Sequence, residues 1–127
     1  MGYKVLIVDD SKSTREFIAA AVEQMEGAEI FESASGFEAL KILPRHRFDL
    51  IITDINMPDI NGLELINFIK KNPNYAATPL FIISTESSEK DLQRGMALGA
   101  VEYVTKPFDP DALAEKVRRY LTAADGA

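Results

Sequence analysis

Three short apolar runs and one mixed run in this 127-residue chain stop abruptly on side chains able to do chemistry. Residues 5–8 run into Asp9-Asp10, residues 50–53 into Asp54, residues 80–83 into Ser84-Thr85, and residues 101–105 into Lys106. Three carboxylates brought to one place repel one another, because crowded like charges disfavour joint ionisation. A divalent cation is the simplest neutraliser. An oxygen-only donor set suits a hard ion that keeps some of its waters, which favours Mg²⁺ over Zn²⁺. Lys106 adds a compact positive charge suited to a phosphoryl oxygen, and the Ser84 hydroxyl can donate to another. Together these parts describe a phosphoryl-transfer site in which the protein supplies positioning and charge compensation. No side chain reads as a water-activating base beside a substrate pocket, so the nucleophile is one of the carboxylates. Asp9 and Asp10 are adjacent and suited to hold the metal, which leaves Asp54 to accept the phosphoryl group.

Such a convergence needs elements that end at one edge. The runs at 5–8, 49–53 and 80–83 are short, continuous and rich in β-branched residues, as expected of parallel strands buried on both faces. Residues 28–33 alternate more and predict a half-covered edge strand; residues 101–105 predict a fifth strand of mixed character. Between them lie five helical patterns. Ser11 is a candidate N-cap before Phe17, Ile18, Ala21, Val22 and Met25. Ser35 and Glu38 form a capping box before Ala39, Leu40 and Leu43, and Pro44 stops that helix. Leu65, Ile66 and Ile69 mark a third helix that Asn72-Pro73 ends. Ser88 and Asp91 open a fourth with Leu92 and Met96, ending near Gly99. Asp109-Pro110 opens a fifth with Leu113, Val117 and Leu121 on one face, and residues 123–127 are expected to fray. The order is (βα)₅. Right-handed crossovers then favour an open, doubly wound parallel α/β sheet with helices on both faces. Ligands bind such sheets outside the carboxyl ends of the strands, where the acids, the hydroxyls and the lysine lie.

Composition narrows the function classes. Lys and Arg number 14 against 20 Asp and Glu, for a net charge of −6. That argues against nucleic acid and anionic membranes as partners, since both need a basic footprint. A hydrophobic content of 46% with seven Phe and four Tyr supplies one packed core and argues against disorder. The length predicts a single domain over residues 1–127. The absence of cysteine excludes disulfides, a thiolate metal site and a cysteine nucleophile. The first apolar run is too short for a signal peptide, and no run approaches the roughly 18 residues of a membrane span. A soluble, cytoplasmic protein without membrane insertion is expected.

The combination of Asp9-Asp10, Asp54 followed by Met57-Pro58 and Gly62, Ser84, and Lys106-Pro107-Phe108 resembles the receiver domain of two-component response regulators. Five motifs in order at strand ends carry the resemblance, which runs from about Lys4 to Leu121 and is nearest the single-domain chemotaxis type. It implies a flavodoxin-like strand order, 2-1-3-4-5. It also implies that Asp54 takes a phosphoryl group from a histidine kinase or phosphotransfer protein in a Mg²⁺-dependent reaction. Asp10 would bind the metal directly and Asp9 through water, with Asp54 and the Asn56 backbone carbonyl completing the set. Lys106 and Ser84 would hold phosphoryl oxygens, next to a cis Lys106–Pro107 peptide. Tyr103 matches the family's aromatic switch position, and Asn56 and Glu86 occupy places that tune dephosphorylation. Thr85 departs from the small residue usual there, and its bulk is expected to affect the rate. With no output domain expected, signalling would pass through protein contacts on the face made by the fourth helix, fifth strand and fifth helix. Lys90, Arg94, Lys116 and Arg119 fall there.

Two other readings compete. A small Mg²⁺-dependent phosphohydrolase could use the same acids, but residues 9–10 lack an Asp-x-Asp pattern and no cap segment is available. A flavodoxin-like cofactor binder would need glycines and hydroxyls where Asp9-Asp10 would repel a phosphate. His46, between Arg45 and Arg47, reads as solvated and without a phosphorelay role. Gly62 and Gly99 read as turn or cap residues.

Overall fold

Apolar runs too short for helices become five parallel strands: β1 (Tyr3–Val8), β2 (Ala28–Ser33), β3 (Leu50–Thr53), β4 (Leu80–Ser84) and β5 (Glu102–Thr105). The computed structural model describes residues 2–57, 59–85 and 89–126, the last four of these by backbone alone. The strands lie in the order β2-β1-β3-β4-β5, the implied flavodoxin-like order, and every neighbouring pair is parallel. β3 and β4 are buried at every residue, whereas edge strand β2 is only partly covered.

The helices are α1 (Lys12–Val22), α2 (Gly36–Ile42), α3 (Gly62–Lys71), α4 (Glu89–Leu98) and α5 (Pro110–Gly126). Successive strand residues point to opposite faces, so each strand feeds two cores. Val5, Ile7, Leu50 and Ile52 pack with Ile18 and Val22 of α1 and with Leu113 and Val117 of α5. Leu6, Val8, Ile51 and Ile82 pack with Ala39 of α2 and with Leu65, Ile66 and Ile69 of α3. The chain winds outward from β1 to β2, then returns past β1 to β3. This reversal opens a crevice at the carboxyl ends of β1 and β3.

Capping follows the sequence in most places. The Thr14 amide donates to Ser11 Oγ at 3.3 Å and the Glu38 amide to Ser35 Oγ at 3.2 Å. The Glu38 carboxylate reaches back to the Ala34 amide, completing the box one residue early. Pro44 sits in a single 3₁₀ turn after α2, and the Asp111 amide donates to Asp109 at the start of α5. Ser88 lies outside the described residues. The structure departs from the sequence pattern at several positions. Phe17 and Met96, placed on apolar helix faces by periodicity, are 59% and 40% exposed. The backbone of α5 stays helical through Gly126 where fraying was expected. Gly99 takes a positive φ of 122° just past α4 and does act as a cap residue. Gly62 serves a different purpose: a Cβ there would run into the Asp54 carbonyl oxygen and the Ile55 backbone, so glycine lets α3 start directly against the main chain at Asp54.

Candidate functional site

Sheet hydrogen bonding continues one residue past two of the strands and aims the acids. The Asp9 amide donates to the Ser33 carbonyl at 3.1 Å, and the Asp54 amide donates to the Val8 carbonyl at 3.0 Å. Asp9 and Asp54 are thereby buried at the ends of β1 and β3, while Asp10 is exposed beside them. One carboxylate oxygen from each of the three lies within 4.8 Å of the others. Lys106 Nζ reaches this cluster from beyond β5, donating to Asp9 Oδ2 at 2.8 Å and Asp54 Oδ2 at 3.0 Å. Its own amide donates to the Ser84 carbonyl at 2.9 Å, and the peptide bond to Pro107 is cis.

The second carboxylate oxygens of Asp9 and Asp54 are also engaged. Asp54 Oδ1 accepts from the Ile55 and Asn56 amides at 2.6 and 3.2 Å, and Asp9 Oδ1 accepts from the Ser11 amide at 2.9 Å. Burial pushes the Asp9 carboxyl above its ordinary 3.8, and the hydrogen bonds from Lys106 and Ser11 offset this only in part. Burial pulls the Lys106 ammonium down, but the hydrogen bonds to Asp9 and Asp54 outweigh it and hold the group above its ordinary 10.5. Three carboxylates against one ammonium leave an excess of two negative charges in a partly buried site. A hard divalent cation fits this donor set: all donors are oxygen, and the exposed Asp10 leaves one side open to the waters Mg²⁺ retains. Asp9, Asp10 and Asp54 could hold it.

The other predicted residues take up distinct places. Ser84 is fully buried at the end of β4, in register with Thr105 on β5, and Thr85 next to it is exposed. Asn56 is tied to Asp54 through its amide. Tyr103 is half-buried within β5, three residues before Lys106 and away from the acid edge, packed against the core under α2 and α3. Glu86 and Pro58 lie outside the described residues. Lys90, Arg94 and Arg119 are exposed, but Lys116 is ion-paired to Glu102 at 2.9 Å. A groove of about 510 Å³ by His46 opens elsewhere, and a smaller one of about 380 Å³, lined by Thr14, Phe17 and Phe108, adjoins Lys106.

Two features escaped the sequence reading. His46 is half-buried rather than solvated: its ring lies 4.3 Å from Phe31 and 5.7 Å from Phe48, and Lys4 Nζ stands 3.4 Å from its Nδ1. Arg15 Nη1 donates to the Asp9 carbonyl at 2.7 Å. The available signal was its position four residues after Ser11, on the helix face that looks back at β1.

A family model, the response regulator receiver domain, matches residues 5–118. The chain belongs to that family. This receiver is 32% identical over 124 residues to a chemotaxis protein CheY homolog of Campylobacter jejuni, covering 97% of this chain and 95% of that protein. It is 35% identical to the transcriptional regulatory protein YvrH of Bacillus subtilis over 92% of this chain, but spans only 48% of that longer protein. The solved structure of chemotaxis response regulator CheY4 of Vibrio cholerae superposes with a TM-score of 0.85 at 37% identity, over 95% of this chain and all of that one. Receivers are phosphoacceptor switch proteins with an acidic Mg²⁺ pocket. The CheY-like ones take phosphate from histidine kinases and act on downstream proteins, so the phosphohydrolase alternative is not favoured. No described helix is long and apolar enough to cross a membrane.

Proposed function

We propose that this receiver is phosphorylated on Asp54 by a histidine kinase or phosphotransfer protein in the cytoplasm and works as a stand-alone switch. The observation that carries the reading is the pairing of Lys106 with Asp9 and Asp54 inside a three-carboxylate cluster. An Asp54 carboxylate oxygen attacks phosphorus; the O–P bond forms as the P–N bond of the donor phosphohistidine breaks, and the imidazole nitrogen keeps the electron pair. Mg²⁺, when bound, neutralises charge on the phosphoryl oxygens. Asp10 would bind it directly, Asp9 through water, and Asp54 and the Asn56 carbonyl would complete its protein ligands. Lys106 keeps its protons and exchanges the Asp54 oxygen for a phosphoryl oxygen, while the Ser84 hydroxyl donates to another. Water later cleaves the acyl phosphate to aspartate and inorganic phosphate, at a rate tuned by the residues at positions 56 and 86 and by the bulk of Thr85. In this reading the protein catalyses only its own phosphorylation and dephosphorylation.

The new charge and acceptor oxygens draw Ser84 and Lys106 together. Tyr103 then turns further inward and the α4–β5–α5 face is remodelled, a population shift between two states that exist beforehand. The target is a protein; the net charge of −6 opposes nucleic acid and anionic membranes. The stand-alone reading leans on the CheY homolog, of which this chain covers 95%. The test is mass spectrometry after incubation with Mg²⁺ and acetyl phosphate. Wild type gains one phosphoryl group and Asp54→Asn gains none; an unmodified wild type, or equal labelling of the variant, refutes the assignment.

A further inference from the structure

The turn that carries Asp9 and Asp10 is held from behind by a residue outside the acid cluster. Arg15 lies one turn into α1 and directs its guanidinium back to the end of β1. Nη1 donates to the Asp9 carbonyl oxygen at 2.7 Å, and Nε donates to Glu32 Oε1 on β2 at 3.0 Å. The Arg15 side chain is only 14% exposed, against 40% for Glu32. The carbonyl it grips belongs to the planar peptide unit joining Asp9 to Asp10, so the tilt of that unit sets the direction in which Asp10 leaves the strand. Asp9 is fixed in several other ways: its amide by Ser33, its Oδ1 by Ser11 and its Oδ2 by Lys106. Asp10 is not. Its side chain is exposed and, among the described residues, its carboxylate has no hydrogen-bond partner. The Arg15 contact is therefore the side-chain restraint on the peptide from which Asp10 projects.

Arginine suits this task better than lysine, because its rigid fork can engage the carbonyl and the Glu32 carboxylate together. Glu32 also cancels the guanidinium charge, so the contribution to the site is one of geometry rather than added positive charge. We propose that Arg15 is a positioning residue for the cation site: with Glu32 as its strut, it holds the Asp9–Asp10 peptide so that both carboxylates face the same ion. The proposal rests on the reading of Asp9 and Asp10 as Mg²⁺ ligands, and its test separates the two.

Mg²⁺ affinity is measured by isothermal titration calorimetry for wild type, Arg15→Ala, Arg15→Lys and Glu32→Gln. Amide hydrogen exchange is followed by NMR in the metal-free proteins. Arg15→Ala weakens Mg²⁺ binding about tenfold, the lower end of what is lost when a group holding a ligand from behind is removed. Glu32→Gln, which still offers an oxygen to Nε, stays close to wild type, and Arg15→Lys falls between. In the metal-free protein, exchange of the Ser11 amide accelerates in Arg15→Ala while amides within β3 and β4 keep their protection. An unchanged Mg²⁺ affinity in Arg15→Ala overturns the proposal, as does a loss of protection throughout the sheet, which would mark a general folding role. Should Arg15→Ala fail to fold, Arg15→Lys against wild type decides by the same two readouts. If wild type itself binds no Mg²⁺, the ligand reading fails, and the Ser11 exchange rate decides whether Arg15 positions the turn.

Discussion

Asp9 shows what the site costs the fold at the scale of single residues. Its carboxyl is raised because burial penalises the charge more than Lys106 and Ser11 compensate it. The folded state then holds the Asp9 proton more tightly than the unfolded chain does, so stability falls as pH rises through the raised value and is lower at neutral pH. Asp10 adds a third charge within 4.8 Å of the other two. In chelator and low salt, Asp10→Asn should therefore raise the melting temperature by about 2–4 °C. Mg²⁺ should raise it for wild type but not for the variant. A variant melting below metal-free wild type would contradict this. Asp9, Asp54, Ser84 and Lys106 were legible in the sequence because each lies at the end of a run that reads as a strand, and strand ends share one edge. Arg15 and His46 were not legible. The strut of Arg15 lies 17 residues away on β2 and the amine facing His46 lies 42 residues away on β1, separations that no local pattern encodes.

Among the elements, β5 and α5 are joined by a polar latch on the face assigned to output. Glu102 accepts from Lys116 Nζ at 2.9 Å and from the Tyr120 hydroxyl at 3.2 Å. The hydrogen bond from Lys116 holds the Glu102 carboxyl below its ordinary 4.5, against an opposing contribution from burial. A depressed acid stabilises the fold above its unfolded value and loses that contribution as pH falls through the folded one. Glu102→Gln should thus cost about 0.5–1 kcal/mol at pH 7, the range of a half-exposed ion pair. Urea unfolding should show the gap to wild type closing below Glu102's ordinary value of 4.5 as the native carboxylate protonates; a gap constant from neutral to acid pH would rule the latch out. Helix and strand types were readable because β-branched runs alternate with helical spacing. Face assignments were less so: burial of Phe17 and Met96 was inferred from periodicity, which does not tell a core-facing apolar residue from an exposed one.

For the molecule as a whole, β1 and β3 lie between two cores while their carboxyl ends carry the chemistry, so the sheet is both divider and platform. The alternation of strands and helices predicted the layers, but the order of the strands came from family resemblance, since connection handedness alone does not select it. The switch reading makes a global demand. With Mg²⁺ and beryllofluoride, NMR shifts should change in α4, β5 and α5 as well as at the site, while β2 changes little; changes confined to the acid edge would remove the output face from the account. The aromatic enclosure of His46 has a separate consequence. Imidazole can also carry a labile phosphoryl group, and His46 is the sole histidine. It sits before β3, at the opposite end of the strand from Asp54, wedged against Phe31 and Phe48 with Lys4 at its Nδ1. A phosphoryl group could not pass directly between the two, since the length of β3 separates them.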